Sequence, residues 1–450
     1  MNVIVLVNDS LRMDHVRCYD DALRTVRYHN GRAVETPSLD KLAKESARFN
    51  YCFPENLPTL PFRTGLMTGR YTFPFRGWQR IEPTDIMLAE ILWDKGYKSV
   101  FITDAYHMHK PTMAYERGFD EVVFIRGQEE DPVVVDKSIP VDVTGYYKFN
   151  GVDKRMRAQT EQYLRNISVW ENPSEDFFCA QVVKRAIKWL KEQKKRDHVF
   201  MWVDCFDPHE PWDPPAPFDS MYTDPNFKGT VVKHPIPGPV EGYMTPEEVQ
   251  YTKALYAGLC SFVDKWDGVF IEALRDMGML DNTLLVFISD HGEPFGEHGV
   301  IRKAKPLPYE ELARIPFLIR HPEGLGAGKT YDPLVQNCDV APTILNFLGI
   351  STRFLKMTGQ DLLPIMKGEV EKIRDYAYVG HYNQSCRISD HEWAFIHYMI
   401  DHEPELFRYV EDPDMKKNLI KEYPQKAEEL KKTMFEFVKS LGGPDWGASK

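Results

Sequence analysis

No run in this sequence approaches the ~20 consecutive apolar residues of a membrane-spanning helix, which excludes an integral helical membrane protein. Paired cysteines are missing too. The seven cysteines (Cys18, Cys52, Cys179, Cys205, Cys260, Cys338 and Cys386) lie far apart, include no CxxC pair and are odd in number, so reduced thiols fit better than a disulfide framework. Basic residues are in deficit, 56 Lys and Arg against 67 Asp and Glu for a net charge of −11, and such a surface repels phosphate backbones. Nucleic acid is therefore not an expected partner, although a local basic pocket for a small anion survives this argument. Met1-Asn2 offers no basic n-region, and the apolar run Val3 to Val7 is too short for a secretory h-region and lacks a small-residue cleavage site. A cytoplasmic protein with no membrane partner is the expectation. Internal repeats and low-complexity segments are absent, and the sequence leaves a homo-oligomer open.

What is present is ordinary globular material: 450 residues, 43% apolar, 13% aromatic and 27% charged, enough to bury a large core. Short apolar runs at Val3 to Val7, Ser99 to Thr103, Glu121 to Ile125, His198 to Asp204, Leu284 to Ser289 and Pro316 to Ile319 alternate with helical periods. Apolar strands separated by helices predict an α/β fold with a large, mainly parallel sheet flanked by helices. Thr36-Pro37 ahead of Leu39, Leu42 and Ala43 reads as one helix start, and Thr84 as the N-cap of another helix that stops at Gly96. Eight prolines between Asp213 and Pro246 predict an irregular surface excursion over 213–246, a loop over the site. After residue 368 the pattern changes to short strands, Tyr376 to Val379 and Glu392 to His397, followed by a charged helix from Pro424 to Ser440. That predicts a main α/β domain over 1–368 and a smaller C-terminal α+β subdomain over 369–450 with antiparallel strands and a terminal helix.

Chemistry-bearing residues collect at the predicted strand ends. The first strand ends at Asn8-Asp9-Ser10 and the strand Leu284 to Ser289 at Asp290-His291-Gly292; in open parallel sheets ligands bind beyond the carboxyl ends of the strands. Two carboxylates and an imidazole are competent ligands for one divalent cation, and mixed N and O donors suit Zn²⁺, Mn²⁺ or Fe²⁺ better than Ca²⁺. Thr59 stands just before Pro61 at a helix start, with Arg63 one turn on along the same face. Free N–H groups and the guanidinium fork would make an anion cradle with a hydroxyl inside it. The plain alternatives are a capping threonine, an Arg63 in a structural ion pair and aspartates that only make turns. His209, between Pro208 and Glu210-Pro211, is held at another strand end, where it can contact an anion or protonate a leaving group. Lys303 and Lys305 follow Asp290 closely and can bring a cation to the same crevice, and Trp78, Tyr106, Trp212 and Tyr222 are candidates for an aromatic rim.

Taken together these stretches resemble the sulfatase family of the alkaline phosphatase superfamily. The likeness is carried by Val3 to Asp9 with Arg12 and Asp14, by Thr59 to Arg63 with Thr68-Gly69-Arg70 in the place of a C/S-x-P-x-R and T-G-R signature, and by Pro208-His209. It continues through Leu284 to Glu293, Gly296-Glu297-His298-Gly299, Tyr309-Glu310-Glu311 to Pro316, Asp339 with Pro342-Thr343, Gly359 to Pro364, and a closing Leu406-Phe407 with Asp412-Pro413 and Asn418-Leu419. Family sulfatases oxidise the signature Cys or Ser to formylglycine, whose hydrated aldehyde attacks the ester. Position 59 is Thr, which cannot yield that aldehyde. Asp9-Ser10 stands where many sulfatases have two adjacent Asp, and Asp290-His291 where they have Asp-Asn, a pattern more similar to the family's phosphonate monoester and phosphodiester hydrolases. The family's G-K-W-H stretch reads Asp104-Ala105-Tyr106-His107, without the lysine, and Lys110 is out of register to replace it.

The resemblance implies a metal-dependent hydrolase of a small anionic ester, phosphate or phosphonate ahead of sulfate. Asp9, Asp290 and His291 would hold one divalent ion against Thr59, which attacks directly, as threonines do in the superfamily's nucleotide pyrophosphatase and phosphodiesterase branch, and forms a covalent intermediate. Arg63 and Lys303 would neutralise the tetrahedral anion, while His209 and His107 position it or protonate the leaving oxygen. A second ion stays open, with Asp204, Asp207, His209 and His298 as the available side chains. Two other readings remain at this point: a catalytically silent anion-binding member of the family, and a conventional sulfuric ester hydrolase.

Overall fold

The strand Asn2–Asn8 is buried at every residue, with Val3, Val5 and Val7 facing one hydrophobic cluster and Ile4 and Leu6 another. A strand that is apolar on both faces belongs in the middle of a sheet covered on both sides. It occupies that place in a computed structural model that describes residues 1–23, 25–148 and 154–444. The main sheet has eight strands in the order Thr330–Tyr331, Ala47–Phe49, Phe317–Arg320, Thr283–Ser289, Asn2–Asn8, Val199–Cys205, Lys98–Thr103 and Glu121–Phe124. The last five are mutually parallel, and Phe317–Arg320 runs antiparallel to both of its neighbours. Each of the six apolar runs is a strand, and the mainly parallel α/β architecture is the one expected.

Helices cover both faces. The 31-residue helix Pro246–Asp276 packs Leu255, Leu259 and Phe262 under Ile4 and Leu6, and its start is closed by a reciprocal pair in which Glu248 N–H donates to Thr245 Oγ1 and Thr245 N–H to Glu248. On the other face Leu60, Phe62 and Leu66 of the helix Thr59–Thr68 join Val3, Val5 and Val7. The helix after Thr36 forms as Pro37–Lys44. Thr84, by contrast, is not a cap. The next helix is Leu88–Asp94, because Glu90 reaches back to the backbone N–H of Met87 at 2.9 Å and sets the start there.

The proline-rich stretch 213–246 is irregular as expected, with one two-residue strand, Gly238–Pro239, but it is more than a surface excursion. Tyr222, Val232 and Met244 are buried in the core cluster because they pack against the long helix, where Thr252 Oγ1 donates to Val232 O at 2.9 Å. Gly238–Pro239 pairs antiparallel with Val300–Ile301, and Arg302 donates to Pro235 O at 3.1 Å, so the stretch buttresses the segment that carries Lys303.

A second sheet has five strands in the order Glu405–Arg408, Trp393–Tyr398, Ser385–Ser389, Ala377–His381 and Asn56–Leu57. The first four are antiparallel, and the helix Pro424–Ser440 lays Leu430, Met434 and Val438 against Ile388 and Phe395. The fifth is parallel and comes from the chain just before Thr59, with Leu57 opposite His381. All seven cysteines are free, and among the described residues no helix is long and apolar enough to cross a membrane.

Candidate active site

Asn8 is in register with both Cys205 and Ser289, so Asp9 and Asp290 leave the sheet side by side. Ser10 then turns the chain with φ 62°, a left-handed conformation that costs an L residue about 1–2 kcal/mol. The turn is held: Ser10 N–H donates to Asp290 Oδ1 at 2.9 Å, and the hydroxyl of Tyr256, from the long helix, donates to Ser10 O at 2.6 Å and accepts from Arg12 N–H at 2.8 Å. Gly292 permits a close crossing on the other side, where a Cβ would lie 2.0 Å from Glu311 O.

The ring of His291 is oriented by its own backbone neighbour. Nδ1 donates to Gly292 O at 2.8 Å, so Nε2 keeps its lone pair and faces Asp290 Oδ2 at 3.4 Å and Asp9 Oδ1 at 3.7 Å. Burial lowers this imidazole to about 4, which keeps it in the neutral form a metal requires. Ligand atoms of Asp9, Asp290 and His291 all lie within 4.8 Å of one another. Asp9 Oδ2 is buried with no hydrogen-bond partner and only a 3.2 Å ion-pair contact to Arg63. Burial, and then the charge of Asp290, push its carboxyl well above the usual range. An N,O,O donor set with an under-neutralised carboxylate fits a divalent cation. No second such group of three gathers among the described residues. Asp204 is committed to Arg63, Asp207 accepts from Cys179 N–H and Gln128, His209 stacks on Phe206, and His298 spans Glu311 and Met415 O.

Thr59 opens the helix Thr59–Thr68, preceded by Pro58 and with Pro61 in the first turn, where a missing N–H costs nothing. Its hydroxyl is buried 3.4 Å from His291 Nε2, inside the carboxylate and imidazole group. Arg63 departs from expectation. Instead of pointing at an open anion pocket, its guanidinium grips Asp204 through Nε at 2.9 Å and Nη2 at 2.6 Å and donates through Nη1 to Asp290 at 2.7 Å and to Thr59 O at 3.1 Å. Three buried carboxylates within reach of one planar fork outcompete any other placement. Arg63 thus neutralises the strand-end acids and ties the start of the Thr59 helix to the sheet edge.

Lys303 does reach the crevice. Its ammonium donates to Glu293 and to Ser10 Oγ at 3.3 Å; burial works against its charge, but Glu210 and Glu293 outweigh that and raise it above the usual lysine range. His209 stacks on Phe206 with ring centres 4.1 Å apart, and its Nδ1 contacts Glu210 O at 3.0 Å, which leaves Nε2 free. Burial lowers it to about 3. The turn carrying it is pinned by Asp104, which accepts from Phe206 N–H at 2.7 Å and is itself pushed up to about 7 by burial. His107 lies one ring further out, 6.1 Å from Phe206, edge-on to Trp78 and paired with Glu129. Of the four rim candidates Trp78 is exposed beside His107 and Tyr106 stacks toward Phe124. Trp212 and Tyr222 are core residues instead, packed on Phe295 and bonded to Ser261, because the proline-rich stretch folds inward.

Two contributors escaped sequence reasoning. Tyr256 sits in the middle of a helix, with nothing local to single it out. His381 is a lone buried histidine in an apolar strand, set beside the chain that leads into Thr59 by the pairing of that strand with Asn56–Leu57.

The chain matches a family model described as sulfatase over residues 1–350, and a second described as N-sulphoglucosamine sulphohydrolase, C-terminal, over residues 296–441. It is 29% identical over 290 residues to an arylsulfatase of Clostridium perfringens, covering 59% of this chain and 58% of that protein. An N-acetylglucosamine-6-O-sulfatase of Bacteroides thetaiotaomicron is 23% identical over a 522-residue alignment, covering 99% of this chain and 87% of the other. Among solved structures, the phosphonate monoester hydrolase of Agrobacterium radiobacter superposes with a TM-score of 0.74 at 20% identity, covering 98% of this chain and 95% of that one, which speaks to the fold. With a matching model over most of its length and a sheet whose strand ends carry the acidic cluster, the chain belongs to the sulfatase family and is a hydrolase with the alkaline phosphatase superfamily fold.

Proposed function

We propose that this sulfatase-family hydrolase cleaves phosphate or phosphonate esters with Thr59 as a direct nucleophile, dependent on one divalent cation, Zn²⁺, Mn²⁺ or Fe²⁺ before Ca²⁺, held by Asp9, Asp290 and His291. The observation that carries this reading is the Thr59 hydroxyl, buried at a helix start 3.4 Å from His291 Nε2. A bound cation there favours ionisation of a neighbouring hydroxyl and offsets charge on the transferred group.

The chain's own residues do the rest. The N–H groups at the start of the Thr59 helix and the Lys303 ammonium meet the anionic oxygens. The Thr59 hydroxyl gives up its proton to solvent, and a bond forms between Thr59 Oγ and phosphorus while the bond from phosphorus to the alcohol oxygen breaks. His209 Nε2 carries the proton to that departing oxygen; a bound anion raises this imidazole from its ligand-free value, since a negative neighbour favours the charged ring. Water then cleaves the phosphothreonine and restores the hydroxyl. His107 and Trp78 flank the mouth through which the alcohol leaves.

Phosphorus esters come ahead of sulfate esters because a threonine sulfate has no aldehyde through which to collapse, and because the His291 ligand pattern is the one noted for phosphonate hydrolases. The names of the sulfatase relatives keep sulfate esters as the competing substrate. The seven free cysteines support a reducing compartment. The test is turnover by purified, Mn²⁺- or Zn²⁺-supplemented protein on matched aryl phosphodiester, aryl phosphonate and aryl sulfate. Faster cleavage of the two phosphorus esters is expected, and faster sulfate cleavage reverses the choice. Phosphate binding without turnover of any of the three marks a silent anion-binding protein.

A further inference from the structure

The strand Ala377–His381 ends on a histidine with no exposed surface, and neither of its ring nitrogens has a hydrogen-bond partner. Buried polar groups are nearly always satisfied, and an imidazole left bare at both nitrogens is costly unless another molecule supplies the partner. The position of this ring says where that molecule would be. His381 lies opposite Leu57 in a parallel ladder, and Tyr382 N–H donates to Leu57 O at 3.4 Å. Thr59 follows Leu57 by two residues, so the backbone that delivers the hydroxyl is the same backbone that anchors the ring. Burial holds His381 near 3, and the Lys303 ammonium, and His291 were it protonated, oppose a charge on the ring as smaller causes. Lys303 acts on Tyr382 as well, and Tyr382 packs between His381 and Trp78 with ring centres 5.1 and 6.3 Å away. The free imidazole is neutral, with one N–H to give.

Accepting the site as an anionic-ester centre, we infer that His381 is a substrate-contacting residue whose ring N–H donates a hydrogen bond to an oxygen of the bound tetrahedral anion. A neutral donor adds a directed contact without burying a further cation beside Lys303. The second sheet then has a chemical as well as a packing role: its strand Ala377–His381 completes the pocket that the main sheet leaves open.

Calorimetric titration of inorganic phosphate into the Mn²⁺-loaded full-length protein tests this. His381→Ala is expected to weaken phosphate about tenfold or more, the loss of one hydrogen bond to a charged group. His381→Asn or His381→Gln, which keep an N–H near the lost one, regain part of it. The melting temperature of ligand-free His381→Ala stays level or rises, because an unsatisfied buried group has gone. Phosphate affinity within twofold of wild type in His381→Ala overturns the inference, and so does a lower melting temperature with binding lost and not regained by either amide, which marks a packing residue. A wild-type protein that takes up no phosphate refutes the reading of the site itself, and the inference with it.

Discussion

Replacing Arg63 with methionine removes the one guanidinium that sits among Asp9, Asp204 and Asp290, all with no exposed side-chain surface. The methionine fills a similar volume, so the loss is electrostatic. Breaking a buried ion pair by deleting one partner costs about 3–5 kcal/mol. For a chain of 450 residues, unfolding entropy near 2.1 cal/mol/K per residue makes each kcal/mol worth about 1 °C, so Arg63→Met is expected to melt about 3–5 °C below wild type in EDTA. Divalent cation changes this in a telling way. At about 100 times its Kd a bound ion stabilises by about 2.7 kcal/mol, or roughly 3 °C. The increment is expected to be larger in Arg63→Met, because the cation there answers the same carboxylates that lost their arginine. Differential scanning calorimetry with and without Mn²⁺ reads both quantities. A variant that melts with the wild type in EDTA, or that gains less from Mn²⁺ than the wild type does, refutes the picture of an arginine and a cation sharing one set of acids.

Lys303→Met is expected to lower kcat on the preferred ester by on the order of 10²- to 10³-fold, as loss of one charge-stabilising donor does; a fall of less than about tenfold would remove Lys303 from the anion pocket. Tyr256→Phe leaves Ser10 O and Arg12 N–H without their partner and is expected to cost about 1–3 kcal/mol of stability and to weaken Mn²⁺ binding by loosening the Asp9-Ser10 turn, whereas unchanged metal affinity contradicts that link. The acid limb of stability is a further check. Burial holds His234 near 3, below the ordinary 6.5, so the unfolded chain binds the extra proton and stability drains away as pH falls from 6.5 toward 3. Between pH 7 and pH 5 this one ring accounts for about 2 kcal/mol. His234→Gln keeps a partner for Thr160 and is expected to lose less stability over that interval than wild type, while parallel melting curves would contradict the assignment.

How far the sequence carried the fold follows from where its signals are local. Six of the eight strands of the main sheet were readable because each is a short apolar run, and where a strand is buried on both faces, as Val3 to Val7 is, that burial requires the composition. The Asp9, Asp290 and His291 group was readable because strand ends in a parallel sheet converge regardless of sequence separation. Signals carried by packing were not. Glu90 rather than Thr84 starts its helix, and Tyr222 and Val232 turn inward only because the long helix offers them a surface. Arg63 was assigned to an anion because Asp204 was not known to lie within bonding distance. His381 was invisible because the pairing of Ala377–His381 with Asn56–Leu57 leaves no trace in either segment alone.

The central claim is that the Thr59 hydroxyl performs the attack. Acid-quenched turnover of a phosphodiester or phosphonate, followed by peptide mass analysis across residues 59–63, measures it most directly. Expected are an unmodified threonine in the resting protein, one added phosphoryl or phosphonyl group on Thr59 during turnover, and neither adduct nor turnover in Thr59→Ala. Turnover that persists in Thr59→Ala, or an adduct carried by a different residue, contradicts the claim.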